Sequence, residues 1–433
     1  MLVKSIYTLP FDENGKFYLY NSRSNFFSEI TEVLYKCFEQ NEFESLPTEA
    51  IEELLKRELI LEEKDLYTYY YGKYLGFNAV NNNLTTLNLV IAPTTGCNFD
   101  CPYCFESKNT PKTITSEVID SLVKFVKEHE HAKEVSITWY GGEPLIAFDK
   151  IEEIYNRLSE DGMPKITSQS FITNGYCIDE RVIDFLKKNG CSKIQITLDG
   201  INEKHDVTRR LKNSTNPTFG RIIDNIRNLL SELPEIRIDI RVNVNKKNYK
   251  NYVDVNSFFK NEFPDNKNIS VYPGIIREDS DDHLGLCESS FSPSELIDLY
   301  ELLEREDVKM PKFPRRKYRG CMMYQMSSYI IGPDGEIYKC WNDVSNPDKV
   351  IGYINDKKIT NKTLMVNYAL RSIPYNDECK HCHAFPICDG GCGYNRYRNI
   401  FEGCHFDTCS PYKDIERLKK ALLTSKVFVE NLN

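Results

Sequence analysis

The stretch PTTGCNFDCPYCFE, residues 93–106, decides how the fold of this chain is interpreted. It places Cys97, Cys101 and Cys104 at the spacing C-x3-C-x2-C, on the loop predicted to follow a short strand. Structural zinc sites normally close with four ligands, and no fourth cysteine lies nearby in the sequence. Three thiolates on a [4Fe–4S] cluster leave one iron free to bind another molecule. The stretch therefore indicates a reactive iron–sulfur centre.

From residue 86 onward, strand and helix patterns alternate. Six β-α units in series predict a parallel sheet with helices outside it, either an open doubly wound sheet or a partial (β/α)6 barrel of the TIM type. In both folds the chemistry lies at the carboxyl ends of the strands. The predicted strands are residues 86–91, 135–139, 170–173, 193–198, 236–244 and 269–276, and helical patterns lie near 118–126, 151–158, 180–188, 219–230, 251–260 and 293–304.

Short motifs follow the first four of these strands. The cysteine stretch follows the first, GGEP (141–144) the second, TNG (173–175) the third and TLDG (197–200) the fourth. Parallel strands would bring all four to one rim. With Tyr103 directly before the last cysteine, this order of motifs resembles the radical S-adenosylmethionine (SAM) superfamily, whose partial barrel we therefore expect here.

The resemblance implies a cofactor and a set of binding residues. The open iron would bind the amino and carboxylate groups of SAM, and one electron would cleave SAM to a 5′-deoxyadenosyl radical that abstracts hydrogen from the substrate. The glycines would let the backbone approach the SAM ammonium, the glutamate would add negative charge, and an arginine would pair with the SAM carboxylate. No catalytic acid or base is assigned. The SAM-binding candidates are Gly141, Gly142, Glu143, Thr173, Asn174, Thr197, Asp199, Arg241 and, within a His205-Asp206-x-x-Arg209 element, Arg209.

A second group of cysteines lies near the carboxyl terminus. Its spacing, C-x13-G-x4-C followed by C-x2-C-x5-C-x3-C and a later cysteine, resembles the SPASM domain, which holds two auxiliary [4Fe–4S] clusters. The chain would then hold three clusters. Zinc ribbons are the alternative, because C-x2-C pairs also bind zinc. By the resemblance, the outer cluster would be ligated by Cys379, Cys382, Cys388 and Cys409, and the inner cluster by Cys321, Cys340 and Cys392.

The sequence departs from many SPASM proteins at one point. No further cysteine follows Cys321 closely, so the fourth inner ligand is Cys404, Cys287 or an open position. An open iron could bind a substrate thiolate, a soft ligand suited to iron. This favours thioether formation on a peptide cysteine, as in sactisynthases.

Two classes of SPASM enzyme fit these features: maturases that install thioether or carbon–carbon cross-links in ribosomally made precursor peptides, and anaerobic sulfatase maturases, which form formylglycine. In sulfatase maturases an Asp follows the cysteine equivalent to Cys340, whereas this chain has Trp341. Residues 1–85 read as a small α+β unit resembling a winged helix, in which a hairpin is followed by helices at 26–40 and 46–59 and by a short strand. Such a unit could capture a leader peptide at a sheet edge or merely pack against the core. Both features favour the peptide maturase. The predicted domains are residues 1–85 as a peptide-recognition unit, residues 86–310 as the radical SAM core and residues 311–433 as the SPASM domain.

Composition excludes other classes. The net charge is −9, with no dense basic run and no apolar stretch of membrane-spanning length, so neither nucleic acid nor a membrane is an expected partner. The first residues lack a signal peptide's pattern, which predicts a cytoplasmic protein whose cysteines bind metal instead of forming disulfides. An electron donor such as flavodoxin or ferredoxin is implied. Outside enzymes, the alternative is an iron–sulfur or zinc-bearing interaction module. Four scattered cysteines read as ordinary small buried side chains: Cys37, Cys177, Cys191 and Cys287.

Overall fold

The computed structural model describes residues 1–104, 110–276, 291–292, 295–310, 313–317, 320–356, 358–388 and 390–425. The chain folds into two compact units that alternate along the sequence. The first unit consists of Met1–Asn81, Ser292–Tyr324 and Leu370–Asn433, and the second of Asn82–Phe291 and Gln325–Ala369.

The amino-terminal segment of the first unit is built from short strands and three helices. β2, β3 and β4 form an antiparallel sheet, and β1 pairs with β5. The predicted hairpin and returning strand are confirmed, but the helix predicted from residue 26 is wrong at its start, because residues 26–30 form a strand. The elements are β1 (Leu2–Lys4), β2 (Thr8–Glu13), β3 (Lys16–Asn21), β4 (Phe26–Ile30), α1 (Glu32–Gln40), α2 (Thr48–Lys56), β5 (Ile60–Glu62) and α3 (Thr68–Asn81).

The second unit contains the predicted series of strands and helices. Its six consecutive strands are parallel and lie side by side in chain order, β6 to β11. Because the strand order never reverses, this sheet has no doubly wound switch point and matches the partial barrel. The elements are β6 (Thr86–Thr94), α4 (Ser116–Lys127), β7 (Glu134–Gly141), α5 (Phe148–Leu158), β8 (Lys165–Thr173), α6 (Glu180–Asn189), β9 (Lys193–Leu198), α7 (Glu203–Thr208), α8 (Phe219–Glu232), β10 (Ile238–Val244), α9 (Lys250–Glu262) and β11 (Ile269–Ile275).

The helices cover this sheet with one apolar face each. In α4, for example, Ile119, Leu122 and Val126 recur at helical spacing and are fully buried. The central strands are buried as well: Ile137 of β7 and Ile196 of β9 have no exposed surface. This packing fixes the carboxyl ends of the strands, where the motifs lie.

Four short strands extend the sheet beyond β6. β12 pairs parallel with β6, and β13, β14 and β15 continue as an antiparallel meander. No helix in the described part of the chain has the length and apolar character needed to cross a membrane. The remaining elements are α10 (Leu296–Arg305), β12 (Ser328–Ile331), β13 (Glu336–Tyr338), β14 (Gly352–Tyr353), β15 (Lys358–Ile359), α11 (Lys362–Val366), α12 (Asp377–Lys380), α13 (Gly393–Phe401) and α14 (Ile415–Thr424).

Candidate active site

The cysteine loop leaves the carboxyl end of β6 and is held on both sides by backbone hydrogen bonds. On one side, the Thr95 amide donates to the Lys112 carbonyl at 2.9 Å. On the other side, the Asp100 amide donates to the Arg210 carbonyl at 2.8 Å, and the Lys212 amide donates to the Asn98 carbonyl at 2.8 Å. The loop is therefore a fixed part of the sheet rim.

The thiols of this loop lie in a poorly solvated environment. Cys101 is buried, Cys97 and Cys104 are half-buried, and none of the described cysteines forms a disulfide. Burial raises the pKa of Cys97 to about 12 and that of Cys101 to about 11. At neutral pH these thiols are protonated without a metal, so metal binding here releases protons. The Phe99 amide donates to the Cys97 sulfur at 3.4 Å, which is the kind of hydrogen bond that a cluster thiolate receives.

The two glycines after β7 pack against the backbone that leads into the cysteine loop. A Cβ on Gly141 would lie under 3.0 Å from the Thr94 carbonyl oxygen, and a Cβ on Gly142 under 3.0 Å from the Gly96 carbonyl oxygen. Gly141 also has a φ of +118°, which favours glycine. The structure thus gives these glycines a packing role that the sequence did not indicate: they let the backbone that leads into the cysteine loop approach the end of β7 closely.

Glu143 joins the ends of two strands. Its buried carboxylate accepts hydrogen bonds from the Thr173 hydroxyl at 2.7 Å and from the Asn174 amide at 2.6 Å. It also accepts one from the Leu145 amide at 3.0 Å. Burial raises the pKa of Glu143, and these hydrogen bonds oppose the rise. The Asn174 side chain in turn donates to the Asn98 oxygen at 2.7 Å, so GGE, TNG and the cysteine loop form one network.

A second network surrounds Asp199, at the carboxyl end of β9. Its buried carboxylate accepts a hydrogen bond from the Tyr103 hydroxyl, and that hydroxyl accepts one from the Arg209 guanidinium at 2.7 Å. Asn243 of β10, which the sequence analysis missed, donates to Asp199 at 3.4 Å. Asn243 is the second-last residue of a strand rich in β-branched side chains, and this position was the signal available in the sequence.

Charge and burial are balanced in this second network. Burial alone would lower the pKa of Arg209, but Tyr103 and Asp199 raise it above its ordinary value, so the guanidinium stays charged. Burial raises the pKa of Asp199, and Arg209 opposes the rise. The Arg209 Nε atom is buried without a hydrogen-bond partner among the described residues, and so is Nε2 of His205. Buried donors without partners are expected where a ligand completes the site.

The two remaining candidates lie side by side on neighbouring strands. Thr197 of β9 is in register with Arg241 of β10, and both are half-buried. The Arg241 guanidinium donates to the Asn243 oxygen at 2.9 Å, and its side chain passes directly over Gly274. Six of the predicted SAM-binding residues lie at or directly after the carboxyl ends of β7, β8 and β9: Gly141, Gly142, Glu143, Thr173, Asn174 and Asp199. Thr197 and Arg241 lie within β9 and β10, and Arg209, which follows α7, reaches the rim through its hydrogen bond to Tyr103.

The four predicted outer-cluster cysteines line one cavity of about 170 Å³ in the first unit. Two cations, which the sequence analysis missed, lie beside them: Lys413 Nζ is 3.6 Å from the Cys409 sulfur, and Arg396 Nη2 is 3.9 Å from the Cys379 sulfur. Positive charge of this kind stabilises thiolate ligands. The donors and the space therefore fit an iron–sulfur cluster. The lining cysteines are Cys379, Cys382, Cys388 and Cys409.

The candidate inner-cluster cysteines are divided between the two units. Cys321 and Cys392 belong to the first unit, where Cys392 directly precedes α13. Cys340 follows β13 in the second unit. Cys404 lies in the first unit with its sulfur 4.0 Å from the Glu402 carbonyl oxygen, and Cys287 lies outside the described residues.

Trp341 occupies the position after Cys340 and contacts the GGE region. Its ring meets the Tyr140 ring edge to face, with the centroids 4.8 Å apart. Tyr140 directly precedes Gly141. The aromatic side chain of Trp341 thus lies beside the GGE motif, at the position where sulfatase maturases are expected to have an Asp.

No group of three or more His, Cys, Asp or Glu side chains within the described ranges is arranged to hold a single metal ion. The ligands of a [4Fe–4S] cluster bind different irons, so they lie farther apart than the ligands of one ion.

Comparisons with known proteins identify the domain that carries this site. The model of the radical SAM superfamily matches residues 91–259. The cysteine-type anaerobic sulfatase-maturating enzyme of Clostridium novyi is 26% identical in an alignment 359 positions long, which covers 76% of this chain and 94% of that enzyme. The radical SAM cyclopropyl synthase TigE of Paramaledivibacter caminithermalis is 23% identical in an alignment 456 positions long, which covers 90% of this chain and 89% of TigE.

Solved structures show the same fold. The structure of anSMEcpe with bound AdoMet and Cp18Cys peptide has a TM-score of 0.57 at 22% identity, covering 78% of this chain and 97% of that one. Streptococcus suis SuiB bound to the precursor peptide SuiA has a TM-score of 0.50 at 17% identity, and the match covers 95% of this chain and 98% of SuiB. The chain therefore contains a radical SAM domain and is an enzyme.

Proposed function

We propose that this radical SAM enzyme abstracts hydrogen from a ribosomally made precursor peptide and installs a cross-link in it. The observation that carries the proposal is the extent of the similarity. The match to TigE covers 90% of this chain and the match to SuiB 95%, whereas the sulfatase-maturating relative covers 76%. About a quarter of this chain thus has no counterpart in that sulfatase maturase. SuiB, whose fold extends over nearly the whole chain, was solved with a precursor peptide.

The radical SAM site supplies the oxidising chemistry. Cys97, Cys101 and Cys104 would hold the SAM-binding cluster, which with bound SAM provides the 5′-deoxyadenosyl radical. The protein's part is positioning. Glu143, held by Thr173 and Asn174, would present a fixed negative charge to the SAM ammonium, which Gly141 and Gly142 would let the backbone approach. The remaining candidates would bind the carboxylate and the ribose: Thr197, Asp199, Arg209 and Arg241.

The auxiliary sites would hold two further clusters. The cavity of Cys379, Cys382, Cys388 and Cys409 supports the outer cluster. Cys321, Cys340 and Cys392 would hold the inner cluster, with its fourth position open or filled by Cys404 or Cys287. These clusters would accept the electron released when the substrate radical forms its new bond, and a flavodoxin or ferredoxin would supply reducing electrons to the SAM-binding cluster.

Two observations bear on the bond that is formed. The aromatic pair of Trp341 and Tyr140 stands where a sulfatase maturase would carry its carboxylate, which disfavours formylglycine formation. An open inner iron would bind a peptide thiolate, which favours a thioether. TigE is named a cyclopropyl synthase, and this relative supports a carbon–carbon bond as the second candidate.

Anaerobic incubation with SAM and a strong reductant tests the proposal. The substrates compared are a cysteine-containing precursor encoded beside the gene and a sulfatase active-site peptide, with the Cys101→Ala protein as control. We expect the precursor alone to lose two hydrogens, and thiol alkylation then distinguishes a thioether, which consumes the thiol, from a carbon–carbon bond, which does not. Conversion of the sulfatase peptide to an aldehyde, with the precursor unchanged, would overturn the proposal.

A further inference from the structure

Arg396 reaches the four-cysteine cavity from α13 and is held there by contacts at both ends of the residue. Its amide donates to the Cys392 carbonyl at 3.1 Å. Its Nε atom donates to the Gly390 carbonyl at 2.5 Å, and its Nη2 atom lies 3.9 Å from the Cys379 sulfur. Arg396 and Cys379 both line the cavity. The guanidinium is therefore held between a backbone carbonyl and a candidate cluster ligand.

The second cation that lines this cavity, Lys413, is held less firmly. Its Nζ atom lies 3.6 Å from the Cys409 sulfur and also 3.8 Å from the Glu378 carboxylate. The Lys413 side chain is 49% exposed, so water and salt screen its charge. Arg396 is half-buried and anchored to the Gly390 carbonyl. Of the two cations, Arg396 is therefore the one with a fixed position and the weaker screening.

The charge of Arg396 acts on the thiol beside it. Burial raises the pKa of Cys379, and Arg396 is the strongest influence that opposes the rise. A cluster held by four thiolates is negatively charged, and reduction adds one more negative charge. A fixed guanidinium beside one of the cluster sulfurs therefore stabilises the reduced state more than the oxidised state, and so raises the reduction potential.

We propose that Arg396 sets the reduction potential of the outer cluster through its contact with the Cys379 thiolate. The proposal deepens the proposed function and rests on it, since it requires a cluster on the four cysteines. Arg396 is a positioning residue that acts through a cluster ligand. Its charge makes the outer cluster a better acceptor for the electron that is released when the substrate radical forms its new bond.

The test compares Arg396→Gln, which removes the charge, with two further variants. Arg396→Lys keeps a positive charge but loses the planar guanidinium. Arg57→Gln removes an arginine of the same unit whose contacts are the Glu53 carboxylate and the Phe26 ring. Anaerobic redox titration followed by electron paramagnetic resonance measures the cluster potentials. The signal that is missing in Cys382→Ala identifies the outer cluster.

In Arg396→Gln we expect the outer cluster to become harder to reduce by about tenfold in its reduction equilibrium, which for one electron is about 59 mV. Lys413→Gln should shift the same potential in the same direction but by less, because that charge is exposed. Arg396→Lys should recover part of the shift, and Arg57→Gln should titrate like the wild type. An unchanged outer-cluster potential in Arg396→Gln, or an equal shift in Arg57→Gln, would overturn the proposal.

Labelling with ¹⁵N-arginine gives a readout that depends on the contact itself. Pulsed electron paramagnetic resonance of the reduced wild type should show a ¹⁵N coupling to the outer cluster, and Arg396→Lys should lose it. A wild-type outer cluster without this coupling would overturn the proposal. If Arg396→Gln holds only about eight irons, a full iron count in Arg396→Lys supports the role of the charge, whereas loss of the outer cluster from both variants would contradict it.

The iron count separates this proposal from the proposed function. The wild type should hold about twelve irons, from three four-iron clusters. A wild-type protein without the four irons of the outer cluster would refute the cluster assignment itself. A full iron count with an unchanged potential in Arg396→Gln would refute only the role of Arg396.

Discussion

The two best-defined cysteine sites of this chain are held in different ways. The loop of Cys97, Cys101 and Cys104 is anchored by backbone hydrogen bonds to the residues after the end of β7 and to the segment that follows α7. The site of Cys379, Cys382, Cys388 and Cys409 is formed by loops and short helices, and side chains from the amino-terminal segment complete its shell. The first site is thus held by backbone contacts at the rim of the sheet, and the second is held mainly by side chains around loops and short helices.

This difference has a thermodynamic consequence. The rim of the sheet rests on strands whose inward residues, such as Ile137 and Ile196, are completely buried, so the apolar core stabilises it without metal. The region of the four cysteines has little regular structure, so a cluster bound there would contribute directly to folding. The predictions below test whether the two sites respond independently.

The largest effect is expected from removing one ligand of each site. Cys101→Ala should abolish 5′-deoxyadenosine formation, because the SAM-binding cluster loses one of its three thiolates, while the irons of the outer cluster remain. Cys382→Ala is the matched variant: it should lose about four irons but still cleave SAM. Chromatographic assay of 5′-deoxyadenosine together with iron analysis measures both. Equal loss of SAM cleavage in the two variants would show that the sites are not independent.

A second comparison uses one glycine from each site. A Cβ on Gly142 would clash with the Gly96 carbonyl, and a Cβ on Gly391 with the Thr408 carbonyl, so each Ala variant should cost about 1–3 kcal/mol of local stability. Gly142→Ala should weaken SAM binding and keep the auxiliary irons. Gly391→Ala should lose outer-cluster iron and keep SAM binding. Gly220→Ala, at a helical position with open space around it, is the control and should not destabilise the protein.

The parallel sheet of the second unit was predicted well from the sequence. The predicted strands β6 to β11 lie within a few residues of their observed bounds, and the predicted β9 over 193–198 matches exactly. The reason is physical: buried parallel strands and one-sided helices have strong hydrophobic periodicity. The placement of Glu143 and Asp199 at one rim followed from the same topology.

The amino-terminal segment of the first unit was predicted less well, for identifiable reasons. β4 was read as the start of a helix because Phe26, Phe27 and Ile30 also fit helical spacing, whereas the capping side chain of Thr31 marks the true start of α1. Helix α3 was missed because it is rich in tyrosine and contains Gly72 and Gly76, both weak signals for a helix. The contacts of Ser22 and Tyr70 with the loops around Cys379 and Cys382 join segments far apart in the chain, which periodicity cannot reveal.

A pH-dependent effect is expected at the rim of the sheet. His205 is fully buried; the Asp199 amide donates to its Nδ1 at 3.4 Å, and burial lowers its pKa to about 3. In the unfolded chain His205 takes up a proton as the pH falls below about 6.5, whereas in the folded chain it stays neutral down to about pH 3. His205 should therefore reduce stability as the pH falls from 6.5 towards 3, by at most about 1.4 kcal/mol per pH unit.

Chemical denaturation of wild-type and His205→Gln protein between pH 7 and pH 5 measures this effect. The raised pKa values of Glu143 and Asp199 act in the opposite direction, so the difference between the two proteins isolates the histidine. The free energy of unfolding should fall less steeply with acid in His205→Gln than in the wild type. His131→Gln, at an exposed position, should follow the wild type. Parallel curves for His205→Gln and the wild type would show that His205 is protonated in the folded state.

The smallest effect is expected at Cys404, the candidate fourth ligand of the inner cluster. Its sulfur lies 4.0 Å from the Glu402 carbonyl oxygen. If the inner position is open or filled by Cys287, Cys404→Ala should retain all its iron and its SAM cleavage, with Cys392→Ala as the matched variant that loses iron. Retained iron would leave Cys287 or an open position as the alternatives, and an open position is the one that allows a substrate thiolate to bind. Loss of iron from Cys404→Ala would identify a closed inner cluster, and the argument for a thioether would then lose its main support relative to a carbon–carbon bond.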